Sequence, residues 1–425
     1  MRMHMPGHKG VGDVERFDIT EIPGADSLYE ADGIIAESES IAGELFGAHT
    51  FYSAEGSSHA IKAMLYLAHL HSGGGCRVLA ARNVHKSFVC AAGLLGSDVE
   101  WIPPSENASY LTSELDAAWL RKRFTEGKRL PDAVYLTSPD YLGRISPIEE
   151  IAKVCREFGV LLLVDNAHGA YLKFLNPSRH PIDLGADMCC DSAHKTLPVL
   201  TGGAYLQISL RAPEIFRREA KRALAVFGST SPSYLILASL DRANSRLGGE
   251  YREKLCAFAE KISAMKTQLC GMGYTLFGDE PLKITVDAKK YGYYGDELAT
   301  LLFAKDIVAE FADRDYLVLM PSPDNTDAEL FKLALAFSKI PARAPIDEPA
   351  PRLCLPEKRL SIRDAMLSKS TDVSPTEAIG RVLAATSVGC PPAVPIAVSG
   401  EVIDRACAEA FIYYGAGTVS VIDGL

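Results

Sequence analysis

Between about residue 34 and residue 208 the spacing of the hydrophobic positions switches repeatedly between two periods. IAESESIAGELFG (35–47) and SSHAIKAMLYLAHL (57–70) carry apolar residues at the three-and-four spacing of an amphipathic helix. The runs RVLAA, DVEWI, DAVYLTSP, VLLLVDNA, DMCCDS and GAYLQI are short, apolar and bounded by polar residues, as buried strands are. Strands alternating with helices predict βαβ units, hence an α/β fold with a mostly parallel sheet covered on both faces. The small and polar residues just beyond those strands then gather along one sheet edge, where ligands of such folds bind.

Further along, SPSYLILASLDRANSRL and EYREKLCAFAEKISAMKTQLCGMG predict two long helices, the second closed by a C-cap glycine. YTLFG, LKITVDA, IVAEF and YLVLMPS alternate with helices, as expected of a smaller α/β domain. PARAPIDEPAPRLCLPEK (341–358) is rich in proline and poor in apolar residues, so it reads as a linker; an extended segment docking on a partner domain is the alternative. The expected organisation is an N-terminal arm and large domain over 1–245, a long helix and small α/β domain over 246–340, the linker 341–358, and a small C-terminal domain over 359–425. That last unit holds SPTEAIGRVLAA, VGCPPAVPIAVSGE and a final helix and strand.

Composition narrows the classes. The chain has 425 residues, 48% of them hydrophobic, with a mean hydropathy of +0.05, enough for two or three domains with a large core. A formal charge of -10 and no basic block argue against nucleic acid as a partner, and an acidic surface tolerates cationic small molecules. The ten cysteines show neither zinc-site spacing nor a disulfide framework, so they read as reduced, mostly buried thiols. MRMHMPGHKG has no apolar signal region and no run approaches a membrane span, so neither membrane nor export is expected and the cytoplasm is.

The candidate chemistry starts at DSAHKTLPVL (191–200), where a serine, a histidine and Lys195 follow an apolar strand. Taken alone, Lys195 reads as a solvated loop lysine. Upstream, VLLLV runs into Asp165, followed by small residues and His168; a turn cap is the plain reading of that carboxylate. Gly56-Ser57-Ser58 opens a helix and sets hydroxyls and free N–H groups at its positive end, which outlines a phosphate cradle or an ordinary N-cap. Together the three fit pyridoxal 5'-phosphate: phosphate at the helix start, Asp165 against the pyridine nitrogen, Lys195 as Schiff-base partner. An anionic partner keeps the ring nitrogen protonated, and a lysine amine is what forms the imine.

The strings His4-Met5-Pro6-Gly7-His8-Lys9-Gly10, Asp18-Ile19-Thr20-Glu21, Arg82-Asn83-Val84-His85-Lys86-Ser87, Asp165-Asn166-Ala167-His168-Gly169, Ser192-Ala193-His194-Lys195 and Ser229-Thr230-Ser231-Pro232-Ser233-Tyr234 resemble the bacterial ornithine/lysine/arginine decarboxylases over nearly the whole chain. The resemblance implies the aspartate-aminotransferase-like fold (fold type I), with pyridoxal phosphate held in the large domain. It implies decarboxylation of a basic amino acid to an amine and carbon dioxide. Lys195, His85 and Asp165 become the catalytic residues, with His85 stacked on the cofactor ring and Ala167 beneath it. Gly56, Ser57, Ser58 and Ser192 would hold the phosphate, with His168 and His194 nearby. Ser229, Thr230 and Ser231 would reach the phosphate of a neighbouring subunit, making a homodimer with shared active sites, possibly within a higher oligomer.

The chain departs from the family pattern at Asn166, where a glutamate is usual, at Tyr171, where a histidine is usual, and at Cys390-Pro391-Pro392-Ala393-Val394-Pro395, although Gly400-Glu401 is kept. Tyr52-Ser53-Ala54-Glu55 is more acidic than usual. The cofactor site survives these changes; the choice among lysine, ornithine and arginine stays open. An aminotransferase or another lyase would use the same cofactor residues, and a catalytically silent regulatory homologue would keep only the fold. No metal is expected, since neither His4 with His8 nor His69 with His71 finds a completing set. Tyr291, Tyr293 and Tyr294 either line a pocket or pack a loop.

Overall fold

The computed structural model describes residues 3–105, 109–127, 129–353, 355–386 and 392–424, so Cys354 and the stretch containing Cys390 and Pro391 lie outside the described residues. Seven strands form the central sheet: β1 (Ala48–Ser53), β2 (Arg77–Ala80), β3 (Asp98–Trp101), β4 (Ala133–Thr137), β5 (Leu161–Asp165), β6 (Met188–Asp191) and β7 (Ala204–Ser209). Their order is β1-β7-β6-β5-β4-β2-β3. The run from β3 to β6 is parallel, and β7 is antiparallel to both neighbours.

The apolar runs are continuous because both sheet faces are covered. In β5, Leu162 and Val164 join the core on one face, while Leu161 and Leu163 join the core on the other. The same alternation holds in β6, where Cys189 faces one core and Met188 and Cys190 the other. Ser57–His71, Lys86–Leu95 and Glu214–Phe227 cover the second face; Ile34–Phe46, Ile148–Phe158 and the long helix Tyr251–Gly271 contribute to the first.

A second sheet of β8 (Thr275–Phe277), β9 (Ile284–Asp287), β10 (Phe311–Ala312) and β11 (Tyr316–Leu319) has the order β10-β11-β9-β8 and is antiparallel throughout. IVAEF, expected as a strand, contributes only its last residue to one. Asp306 takes a left-handed conformation (φ 53) and Ile307 N–H closes back on Leu302 O, so the run leaves the preceding helix as a turn. Tyr291 stacks on Tyr274 at 3.8 Å and donates to Ile340 O, while Tyr293 donates to Pro341 O; both pack a loop. The proline-rich stretch lies along this sheet, held by Ile346 N–H on Lys289 O and by the Arg314–Glu348 ion pair at 2.9 Å.

Near the C-terminus β12 (Ser370–Val373) pairs with β13 (Val419–Ile422), which follows the helix Arg405–Tyr413. This region is fastened to the central sheet by Arg82, just beyond β2, whose Nη2 lies 2.6 Å from Glu401 Oε2. Their side chains are 8% and 3% exposed, and the same carboxylate oxygen accepts the Val398 N–H. Gly400 is required beside it: φ is +92, and a Cβ there would come within 2.5 Å of Leu360 O. Breaking one side of a buried pair strands the other charge, so Glu401→Ala is expected to lower stability by about 3 kcal/mol or more, read as a shift in the urea midpoint. The double change Arg82→Met with Glu401→Met is expected to cost clearly less.

Candidate active site

Since β7 is antiparallel to β1 and to β6, β1 points the same way as the parallel run, and the carboxyl ends of β1, β2, β4, β5 and β6 share one edge. A cavity of about 490 Å³ opens there. The segment after β1 supplies Gly56, Ser57 and Ser58; after β2 come Asn83 and His85; β4 ends in Thr137; β5 and its turn give Asp165, Ala167 and His168; the turn after β6 gives Ser192, His194 and Lys195. Tyr141, Glu310, Pro392 and Val394 complete the wall. Ser229, Thr230 and Ser231 are exposed and do not line this cavity; Ser229 N–H donates to Glu55 Oε1 at 2.6 Å.

The helix Ser57–His71 begins at Gly56, whose φ of 73 and extended ψ turn the chain into the cavity wall. Ser192 Oγ donates to Ser57 Oγ at 2.7 Å, and Ser87 Oγ donates to Ser58 Oγ at 2.7 Å. Three hydroxyls, Ser57, Ser58 and Ser192, therefore meet at a helix N-terminus, an arrangement suited to an anion. Thr137 Oγ1 and Asn83 Oδ1 are buried without a hydrogen-bond partner among the described residues, and both residues line the cavity, so the walls offer polar atoms to a polar ligand.

Asp165 is 2% exposed; burial raises its pKa, against the opposing pull of Lys195 and of the Ala167 N–H at 3.1 Å. A cationic N–H placed in the cavity beside it would favour its ionised form. His85 caps the helix Lys86–Leu95, its Nδ1 accepting from Ser87 N–H at 3.2 Å, which puts the ring proton on Nε2. Burial, then the charges of Lys195 and Lys86, lower its pKa to about 4. His194 is held by Gly203 O at 3.0 Å and is also lowered by burial. His168 lies between two lysines, with Lys195 Nζ 2.8 Å from Nε2 and Lys283 Nζ 2.9 Å from Nδ1.

Residues 11–270 match the family described as Orn/Lys/Arg decarboxylase, major domain. The chain belongs to that family. Curated relatives include the arginine decarboxylase of Bacillus subtilis (strain 168), 28% identical over 439 residues, covering 95% of this chain and 88% of the relative. The arginine decarboxylase of Halalkalibacterium halodurans is likewise 28% identical over 439 residues, with the same coverage of both chains. Among solved structures, the lysine decarboxylase of Francisella novicida superposes with a TM-score of 0.79 at 18% identity, covering 99% of this chain and 79% of that one. Lysine decarboxylase A of Pseudomonas aeruginosa gives 0.79 at 17% identity, with 99% and 78% covered. The fold is thus that of fold-type-I decarboxylases and their aminotransferase-like relatives, and as a family member the chain is a pyridoxal-phosphate-type decarboxylase of basic amino acids.

Several residues were not among those expected here: Asn83, Thr137, Tyr141 and Glu310 line the cavity, and Lys283 stands behind His168. Lys283 carries a signal, a lone cation inside the apolar run PLKITV, and it is 3% exposed. The histidine pairs His4/His8 and His69/His71 have other occupations, with His8 Nε2 3.1 Å from Asp18 and His69 facing the Gly75 and Cys76 N–H groups. His180, Cys189 and Asp191 do come together in the core, where Asp191 accepts from Asn166 Nδ2, His180 Nε2 and Gln207 Nε2 at 2.6, 3.1 and 3.2 Å.

The lowered His85 pKa has a sign that can be measured. Between about pH 4 and 6.5 the unfolded chain binds the proton and the folded chain does not, so stability is lost as pH falls through that window. Asn at this position keeps the cap but does not titrate. His85→Asn is expected to lose less stability than the unmutated chain between pH 6.5 and 4, by urea titration at each pH.

Proposed function

We propose that the chain decarboxylates a basic amino acid with pyridoxal 5'-phosphate as cofactor, and that arginine is the substrate. The observation that carries this reading is the convergence of Lys195 Nζ, the buried Asp165 carboxylate and the serine-lined helix start on one cavity. The unpartnered Thr137 and Asn83 atoms and the buried Asp165 carboxylate in the cavity wall fit such a group. Bound there, the cofactor supplies an electron sink for the charge left when carbon dioxide departs.

The rest falls to the protein. Ser57, Ser58 and Ser192 hold the phosphate, with the helix N-terminus offering N–H groups. Asp165 holds a proton on the ring nitrogen. His85, neutral above about pH 4, would meet the cofactor without competing for charge. Ala167, a small residue of the cavity wall, would leave room for it. Lys195 Nζ would be the amine that holds the cofactor, and the same amine would move a proton at the substrate Cα. The Glu310 carboxylate, which accepts from Tyr141 Oη at 3.0 Å, lines the cavity and is the acceptor for the substrate's distal cation. Arginine is favoured by the names of the relatives that match over most of the chain.

The exposed Ser229-Thr230-Ser231 segment supports a homodimer in which it serves the neighbouring site; a higher oligomer, and residence in the cytoplasm, complete the proposal. Among the described residues no helix is long and apolar enough to cross a membrane.

The test is an amine and carbon dioxide assay over arginine, lysine and ornithine. Agmatine from arginine is expected, Lys195→Ala is expected to lose it, and a chain loaded with cofactor that releases no carbon dioxide from any of the three defeats the reading. Glu310→Gln is expected to raise KM about tenfold with a smaller change in kcat, as removing a binding contact to the ground state does. For the shared site, Lys195→Ala chains reassociated with chains carrying alanine at 229 to 231 are expected to regain activity that neither parent has; hybrids as inactive as the parents confine each site to one chain.

A further inference from the structure

His168 Nε2 faces Lys195 Nζ at 2.8 Å and His168 Nδ1 faces Lys283 Nζ at 2.9 Å. Burial and the neighbouring cations Lys195 and Lys283 hold the ring far below its usual pKa, so it is neutral and carries one N–H and one lone pair. One lysine therefore donates into the ring, and the other receives the ring's N–H and must itself offer a lone pair. Lys283 has three acceptors around Nζ: His168 Nδ1, Asp140 O at 3.1 Å and Tyr141 O at 3.2 Å. Three acceptors match the three protons of an ammonium.

We propose that Lys283 is a positioning residue that fixes the His168 tautomer, so that Nε2–H points at Lys195 and holds it as the unprotonated amine that its chemistry requires. This deepens the reading of Lys195 given above and rests on it. Lys283 does not line the cavity and acts only through the ring.

The surroundings favour this distribution of charge. Burial lowers Lys283 to about 8, with Lys195 acting in the same direction and Glu280, Asp140 and Glu310 opposing, so it remains mostly an ammonium at neutral pH. A neutral Lys195 removes one of the two depressing influences on it. On the other side, Lys195 is faced by Asp165, which favours its charged form, and by His85, His168 and His194, all with pKa values lowered from the ordinary histidine value. The Lys283 charge is what counters Asp165. Lys283 is itself anchored by Glu280: one carboxylate oxygen accepts the Lys283 backbone N–H, and the other accepts the Tyr171 hydroxyl. Tyr171, one of the departures from the family pattern, thereby belongs to the same device.

The experiment uses the full chain freed of cofactor and measures the rate at which 1-fluoro-2,4-dinitrobenzene, which attacks only unprotonated amines, labels Lys195 as a function of pH, located by peptide mass. Lys283→Met is expected to move the midpoint up by about one pH unit, slowing labelling at pH 7 about tenfold. Lys283→Arg, which keeps the charge, is expected to stay near the unmutated midpoint, and His168→Phe to move it up. A folded Lys283→Met chain that labels with the original midpoint overturns the proposal. Should these variants not fold, neutron crystallography of the unmutated chain at pH 7 decides: three protons on Lys283 Nζ and one on His168 Nε2 are expected, and a proton on Nδ1 overturns it. Neither measurement involves an amino-acid substrate, so failure here and failure of the decarboxylase reading are separate results.

Discussion

The strand β7 lies between two strands that run in the same direction, and its antiparallel insertion holds the serine-bearing helix start and the lysine turn of the cavity together. The connection that enters it carries Gly202 and Gly203. Gly202 O accepts the Gly56 N–H at 2.7 Å, which fixes the start of the serine-bearing helix. Gly203 O accepts the His194 backbone N–H at 3.1 Å and the His194 ring at 3.0 Å, which fixes the turn that carries Lys195. Gly202 has φ +99, and a Cβ on it would stand 3.0 Å from Ala54 O. A side chain at that one position would press on the cradle and the lysine turn together, because both hang from the same short connection.

The inner strands β4, β5 and β6 were legible because burial on both faces makes them largely uninterrupted apolar runs, and their polar ends then point to one edge. β1 was not: His49 and Thr50 break the apolar run AHTFYS, and Thr50 is accommodated in the core only because its hydroxyl donates to Gln207 across the sheet. The helix Glu214–Phe227 was passed over for a related reason, since its charged outer face masks the stripe formed by Phe216, Ala220, Ala223 and Leu224. Within the site, Lys195, Asp165, His85 and the serines are legible because each follows a recognisable element. Lys283 and Glu310 come from the second sheet and its approach, over 80 residues further on, and only the docking of that sheet brings them to the cavity.

The electrostatics of the cavity form a balance that a ligand would complete. Burial pushes Asp165 up, and pushes His85, His168 and His194 down, so each is driven toward its uncharged form. Two further groups have fixed partners: Lys283 donates to two backbone carbonyls, and Glu310 accepts a tyrosine hydroxyl. A neutral histidine can direct a proton without adding charge. A cationic ring nitrogen would restore Asp165 to its ordinary ionised state, so ligand binding and carboxylate ionisation would reinforce each other.

The departures from the family pattern at Asn166 and Tyr171 sit behind this cavity, not in its wall. Asn166 donates to Asp191, the residue that ends β6 one position before Ser192, and its Oδ1 lies so near Gly169 that a Cβ there would come within 2.1 Å. A glutamate in that arrangement would set a second carboxylate against a fully buried one that already takes donors from His180 and Gln207. The amide instead supplies Asp191 with a third donor beside His180 and Gln207. Tyr171 does comparable work on the other side, engaging Glu280 where that carboxylate also grips the backbone of Lys283. Both replacements therefore act on the supports of Ser192 and Lys283 and stand outside the cavity wall. The cavity wall itself is left to Glu310, Tyr141, Pro392 and Val394 beside the residues of the central sheet, and these are the groups that face whatever the cavity holds.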